Sequence, residues 1–362
     1  MKIEDSYKEK KLLYITVKPT PYRTCFFNKL AEYCDLTVLY ESNNPGTRNK
    51  EWSESEVLRH KAIFLNENCK SRVSEYFKMI KIILRKKWDA VIIGCWNLRI
   101  ELCTMITLRM LKYPYTMNLD GEYFFQGNSF KQRLKRFLIR GAKSYVVAGE
   151  ESAKSLRKVV GEKNIIVYYF SSLTDEEIIQ KSLIRKQRKE NLLVVGRNFY
   201  VKGMDVIVSI AKMSPTLQYK IVGMGVAGIE EFKKQYNLSD VKNIEFVPFL
   251  HKEELDYEYQ TCKMLVLPSR QECWGLVVNE AAAFGTPIVS TEGSGAAVEF
   301  LASTYPQFLA KPGDPKSLYS CIQELLSTKD IESYSNYLKE KSKNYSIAIS
   351  VKAHLKVLEE RI

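Results

Sequence analysis

At 362 residues the chain exceeds what one hydrophobic core usually supports, so two compact units of about 150 to 180 residues are expected. It is 45% hydrophobic and 27% charged, and no segment reaches the ~20 uninterrupted apolar residues of a membrane-spanning helix. An excess of 55 Lys and Arg over 42 Asp and Glu, +13 in all, asks for a polyanionic partner: nucleic acid, an anionic membrane or a phosphorylated substrate.

Met1 to Lys11 is charged, and the apolar run that follows is too short for a signal-peptide core, so a cytosolic location is expected. The eight cysteines are far apart and contain no C-x-x-C pair, as expected of reduced packing residues. None of the three histidines, His60, His251 and His354, has a second ligand at metal-binding spacing, so no metal site is expected.

In chain order, Leu12 to Val17, Leu36 to Tyr40, Ala90 to Cys95, Tyr115 to Leu119 and Ser144 to Val147 have the β-rich composition of buried parallel strands, with helix-length segments between several of them. Two stretches mix bulky apolar with basic residues: Tyr76 to Lys87, and Ser129 to Lys143 with six basic residues and no acidic one. In the second, helical spacing gathers Phe130, Leu134, Phe137 and Leu138 on one side, surrounded by Lys131, Arg133, Lys135, Arg136 and Arg140. That pattern fits a helix lying on an anionic leaflet, and it also fits a core-facing helix with a solvated basic face.

The charge-dense stretch from Thr174 to Glu190 suggests a linker near 172–189. A second strand series follows: Asn191 to Val195, Gln218 to Val222, Asn243 to Val247, Met264 to Leu267 and Pro287 to Ser290. The expected organisation is an α/β chain with one domain over 1–180, a second over 181–344, and a terminal helical segment, 345–362, returning to the first.

Three motifs carry chemistry. Gly223, Gly225 and Gly228 form a G-x-G-x-x-G after a strand, with Glu245 twenty residues beyond Gly225, which superficially meets the dinucleotide fingerprint. A complete strand-loop-helix unit precedes it, however, so it does not occupy the first turn of its domain, and a tight turn admitting close backbone approach is the better reading. Gly196 to Gly203 (GRNFYVKG) places Arg197 and Lys202 on a Gly-bounded loop beside a helix start, where a diphosphate would find fork donors, a point charge and a positive dipole end. Arg270 to Ala281 (RQECWGLVVNEA) sets Glu272 in a loop and Glu280 on the following helix, so that one carboxylate can take sugar hydroxyls and the other a ribose, while amides near Gly275 and Leu276 face phosphates.

Together these elements resemble the retaining family 4 glycosyltransferases of the GT-B fold, two Rossmann-like domains facing each other across a cleft. The resemblance rests on Glu272 to Glu280 as E-x7-E, the preceding Leu267-Pro268-Ser269, the following Glu280 to Val289, the loop with Arg197 and Lys202, and the turn at Gly223 and Gly225. It implies a donor site for a nucleotide diphosphate sugar, commonly a UDP-sugar, at Arg197, Lys202, Gly223, Glu272, Trp274, Gly275, Leu276 and Glu280. Thr20-Pro21-Tyr22-Arg23, Asn118 to Gly121 and Phe170 to Leu173 are similar to transferases of bacterial capsule, exopolysaccharide and lipopolysaccharide assembly. The histidine that many members carry near the Asn118 strand is absent here.

The resemblance implies a retaining transfer to a glycan or lipid-linked glycan, made by a protein peripheral at the inner face of the membrane. The catalytic residues are expected to be Asp120 and Glu272, with Tyr22, Arg23 and Asn118 on the acceptor side. The absence of any D-x-D speaks against a divalent metal. Other GT-B chemistry, a phosphorylase or a nucleotide-sugar epimerase, is the nearest alternative. A nicotinamide oxidoreductase is more remote, and no nucleic-acid-binding module is recognisable.

Overall fold

A computed structural model describes residues 7–42, 57–67, 71–85, 87–94, 99–121, 130–161, 163–184, 187–197 and 200–359. The chain divides into two units, the first formed by Met1–Ser172 with Ile347–Ile362, the second by Leu173–Ser346.

Unit 1 alternates strand and helix: β1 (Lys11–Thr16), α1 (Pro21–Leu30), β2 (Asp35–Tyr40), β3 (Lys61–Phe64), α2 (Arg72–Arg85), β4 (Ala90–Ile93), α3 (Arg99–Met110), β5 (Thr116–Leu119), α4 (Phe130–Ile139), β6 (Ser144–Ala148), α5 (Glu150–Val160) and β7 (Asn164–Tyr168). Every pairing in its sheet is parallel, in the order β3-β2-β1-β4-β5-β6-β7. β4, β5 and β6 are buried along their whole length, as strands covered by helices on both faces must be. Met79, Ile83, Met105, Leu108, Leu138 and Ile139, from α2, α3 and α4, pack into one core with Leu13, Ile93 and Met117 of the sheet.

Unit 2 begins with α6 (Asp175–Leu183), where the sequence suggested a linker. Its helix start is closed by a reciprocal cap: the Glu177 amide donates to the Thr174 hydroxyl at 3.2 Å, and the Thr174 amide to the Glu177 carboxylate at 2.8 Å. Ile178 buries against Leu173 and Ala283, and Lys181 pairs with Asp256, so packing and charge override the polar composition. Then come β8 (Asn191–Val195), α7 (Met204–Met213), β9 (Gln218–Val222), α8 (Val226–Gln235), β10 (Ile244–Val247), α9 (Lys252–Thr261), β11 (Met264–Leu267), α10 (Leu276–Ala283), β12 (Ile288–Thr291), α11 (Gly295–Leu301), β13 (Leu309–Ala310), α12 (Pro315–Ser327) and α13 (Ile331–Ser342). The sheet is again parallel, in the order β10-β9-β8-β11-β12-β13. α14 (Ile347–Leu355) returns to unit 1 and packs on α1 and β7.

Candidate active site

In unit 2 the strand order reverses between β8 and β11, and ligands of such sheets gather beyond the strand ends at that point. The two loops that leave these strands are the two basic and acidic motifs, and the structure brings them together. Lys202, in a single 3-10 turn over Tyr200–Lys202, forms an ion pair with Glu272. The amides of Arg270 and Gln271 both donate to the Val201 carbonyl, at 2.8 and 3.1 Å. Gly203 closes the turn with φ +69°, and a Cβ there would overlap the Pro268 carbonyl oxygen. Gly275 (φ +103°) caps α10 and could carry no Cβ without meeting the Ser294 hydroxyl at 2.7 Å. The first amides of α10 and its positive dipole end therefore open next to Glu272, an anion site by construction.

Arg197 lies exposed after β8. Leu276 begins α10 and Glu280 lies one turn further, half-buried, accepting a 2.9 Å hydrogen bond from the Tyr259 hydroxyl. Trp274, expected among the donor contacts, points inward: its indole is 3% exposed and its Nε1–H donates to Asn279 at 2.9 Å, so it supports the loop from below.

Gly223 (φ +108°) packs close to Gly196 at the ends of β9 and β8. At Gly225 and Gly228, by contrast, an added Cβ would meet nothing within 4 Å. The triplet follows β9, away from the switch point, and two of its glycines answer to no steric need. This is not how a dinucleotide fingerprint uses them.

In unit 1, Asp120 lies just beyond β5 and is gripped from several elements. Arg23 of α1 pairs with Oδ2, while Oδ1 accepts from Asn118 Nδ2 at 2.5 Å and from the Tyr168 hydroxyl at 2.6 Å. Burial works against the Arg23 charge, yet Asp120 beside it holds the guanidinium pKa well above its usual value. Burial and then Asp120 push the Tyr168 phenol upward. Asn118 is 2% exposed with both ends of its amide occupied, its Oδ1 lying 2.7 Å from His354 Nε2 of α14. The other ring nitrogen of His354 lies 2.8 Å from the Ser350 carbonyl, and burial draws the ring's pKa down to about 4. Both nitrogens face oxygens, so the neutral ring favoured by burial donates to only one of them. Tyr22 stacks edge-on to Phe170, with ring centroids 5.4 Å apart. Of the three residues expected on the acceptor side, Asn118 and Arg23 thus grip Asp120, and Tyr22 borders them on α1.

Sequence reasoning did not find Tyr259, Asp205, Tyr168 or His354. Each acts through a partner at least 21 positions away, and no local pattern announces such a pairing.

In the basic segment, α4 forms as expected, but its sides divide differently: Leu138 and Ile139 are buried, while Leu134 and Phe137 are 44% and 52% exposed. Arg133 and Arg140 are exposed and Arg136 half-buried; the side chains of Lys131 and Lys135 lie outside the described residues. The neighbouring helices present more apolar surface, at Val73, Phe77 and Leu84 of α2 and at Ile106 and Met110 of α3. The acidic residues of these three helices, Glu75 and Glu101, are half-buried and buried. Among the described residues no helix is long and apolar enough to cross a membrane, and no cluster of His, Cys, Asp and Glu could hold a metal.

Residues 175–345, nearly all of unit 2, match the family model of glycosyl transferases group 1, and the chain has the GT-B fold. Among characterised folds, Anabaena HepE in complex with UDP aligns with a TM-score of 0.71 at 14% identity, over 96% of this chain and 99% of that one. An uncharacterized glycosyltransferase of Haemophilus influenzae is 26% identical over 240 residues, 64% of this chain and 65% of the relative. One of Methanocaldococcus jannaschii is 25% identical over 256 residues, 69% of each. The alignments thus span about two thirds of these relatives' length.

Proposed function

We propose that the protein is a retaining glycosyltransferase that moves a sugar from a nucleotide diphosphate sugar, a UDP-sugar in the first instance, to a glycan acceptor of bacterial surface polysaccharide. The observation that carries this reading is the convergence of Lys202, Glu272, the start of α10 and Glu280 at the switch point of unit 2. Arg197, Lys202 and the α10 amides meet the diphosphate, Glu280 the ribose and Glu272 the sugar, with no divalent metal required. The bond between the anomeric carbon and the phosphate oxygen breaks as the acceptor oxygen bonds on the same face. The acceptor's proton passes to the departing phosphate oxygen, so no protein nucleophile is needed. Asp120 in unit 1 orients the acceptor or stabilises positive charge at the anomeric carbon. HepE, structurally similar, is known in complexes with UDP and with UDP-glucose, which supports the choice of donor.

A lipid-linked acceptor would lie at the inner face of the membrane, and the exposed apolar and basic residues of α2, α3 and α4 support docking of unit 1 on anionic lipid. Incubation with a panel of nucleotide sugars in excess chelator, following hydrolysis and melting temperature, tests the reading. A donor at ~100 times its dissociation constant should stabilise by roughly 2.7 kcal/mol. Failure of every nucleotide sugar to stabilise the protein or to be cleaved would overturn it.

A further inference from the structure

Arg270 follows the Leu267-Pro268-Ser269 run at the end of β11, and a basic side chain beside an anion site invites the reading of one more phosphate ligand. The structure commits it elsewhere. Its Nη1 and Nη2 donate to the two carboxylate oxygens of Asp205 at 2.6 and 2.7 Å, in the fork geometry that matches guanidinium to carboxylate. Nη1 donates a second bond to the Tyr200 carbonyl at 3.0 Å, and the guanidinium lies over the Tyr200 ring, 4.1 Å from its centroid. The backbone joins in: the amides of Arg270 and Gln271 hold the Val201 carbonyl. Asp205 stands in the first turn of α7, two residues after the Gly203 cap. One residue therefore ties the loop after β11 both to the turn that carries Lys202 and to the helix that begins behind it. Hydrogen bonds from Arg270 hold the Asp205 carboxyl below its usual pKa, and donating them to Asp205 raises that of Arg270.

We propose that Arg270 is a positioning residue: through its fork to Asp205 it fixes the Tyr200–Gly203 turn and so sets where the Lys202 ammonium meets the distal phosphate of a nucleoside diphosphate. The proposal rests on the donor-site reading above. Its charge is matched twice over by the Asp205 fork, whereas among the described residues Lys202 has only the single ion pair with Glu272 to exchange for a phosphate. Lysine in its place would keep the charge and lose the fork, the stacking and the second bond to Tyr200.

Calorimetric titration with UDP and with UMP, which lacks the distal phosphate, tests this on the whole chain and its variants Arg270→Lys, Asp205→Asn and the double variant. Each single change should weaken UDP binding by about tenfold while UMP affinity moves by less than about twofold, and the double change should be no worse than the weaker single. The decisive sign is that of Asp205→Asn. Were Arg270 itself the phosphate ligand, freeing it from Asp205 would tighten UDP, and that result overturns the proposal. Unchanged UDP affinity overturns it too, as do equal losses for UDP and UMP, which would mean general loosening of the unit. Binding of neither nucleotide by the wild-type protein would instead overturn the donor site on which the proposal stands.

Discussion

The Tyr259 hydroxyl, on a side chain with no exposed surface, donates a 2.9 Å hydrogen bond to the Glu280 carboxylate. α9 thereby fixes the carboxylate that α10 presents. Burial first, and then Glu280, push the Tyr259 phenol well above its usual pKa, so it remains the donor throughout the working pH range. Tyr259→Phe removes one hydrogen bond to a charged group and little volume, which typically costs about 1.5 to 3 kcal/mol. The expected outcome is weaker UDP binding with unchanged affinity for inorganic pyrophosphate, because the ribose end alone loses its support. Equal weakening of both ligands would contradict the assignment of Glu280.

Lys202→Ala and Glu280→Ala should each weaken UDP binding by roughly tenfold to 150-fold, the range for losing a hydrogen bond that involves a charged group. Lys202 pairs with Glu272, so on the proposed reading it exchanges a carboxylate for a phosphate when it meets the donor. Glu272→Gln should therefore release Lys202 and leave pyrophosphate affinity equal or higher, even as sugar transfer falls. Calorimetry on the three variants, with turnover measured alongside, checks both statements.

Gly203→Ala places a Cβ against the Pro268 carbonyl oxygen and forces a left-handed residue to carry a side chain. A loss of about 1 to 3 kcal/mol in unfolding free energy is expected. Gly225→Ala, where an added Cβ meets nothing within 4 Å, should change stability by less than about 0.5 kcal/mol. Urea unfolding of the pair distinguishes a required glycine from a tolerated one.

His60 is buried with its Nδ1 3.0 Å from Asn28 Oδ1 and its Nε2 2.9 Å from the Tyr40 hydroxyl. Because the Asn28 oxygen must accept, the neutral ring donates through Nδ1 and accepts from Tyr40, and burial lowers its pKa from 6.5 to about 4. His354 shifts the same way, to about 4. The unfolded chain binds these protons first, so stability is complete above about pH 6.5 and falls as the pH drops toward 4, by at most about 1.4 kcal/mol per pH unit for each ring. Urea unfolding at several pH values should show this slope, and His60→Gln should remove one proton's share of it. A slope untouched by that substitution would contradict the neutral assignment.

Wild-type protein should float with vesicles rich in anionic lipid, and added salt should release it, since each basic residue near such a surface contributes about 1 kcal/mol. The variant Lys81→Glu, Arg133→Glu, Arg140→Glu changes exposed positions on α2, at the start of α4 and just after it. Equal recovery of variant and wild type with the vesicles would eliminate this face as the contact.

Much of the architecture was legible in the sequence, because fully buried parallel strands such as β4 and β6 are continuous apolar runs. The two edge strands of unit 1 were not: β3 (KAIF) and β7 (NIIVY) are only partly covered, and their composition is correspondingly mixed. α6 was mistaken for a linker although Thr174 and Glu177 spell a capping box, because the acids that stabilise a first helical turn also resemble a solvated loop. Both halves of the proposed donor site could be read locally, since the loops after β8 and β11 carry their charged residues within short stretches. Their pairing through Arg270 and Asp205, 65 positions apart, exists only once the sheet has formed.

α14 gives unit 1 a particular folding history. Residues 347–358 close a surface formed by α1 and β7, yet the ribosome makes them only after the whole of unit 2. The usual order, in which the N-terminal domain folds first during synthesis, is thereby inverted. Unit 2 can complete its core while unit 1 waits with an uncovered apolar face and with Asn118 lacking its His354 partner. A nascent chain halted before position 347 should consequently be a client for chaperones.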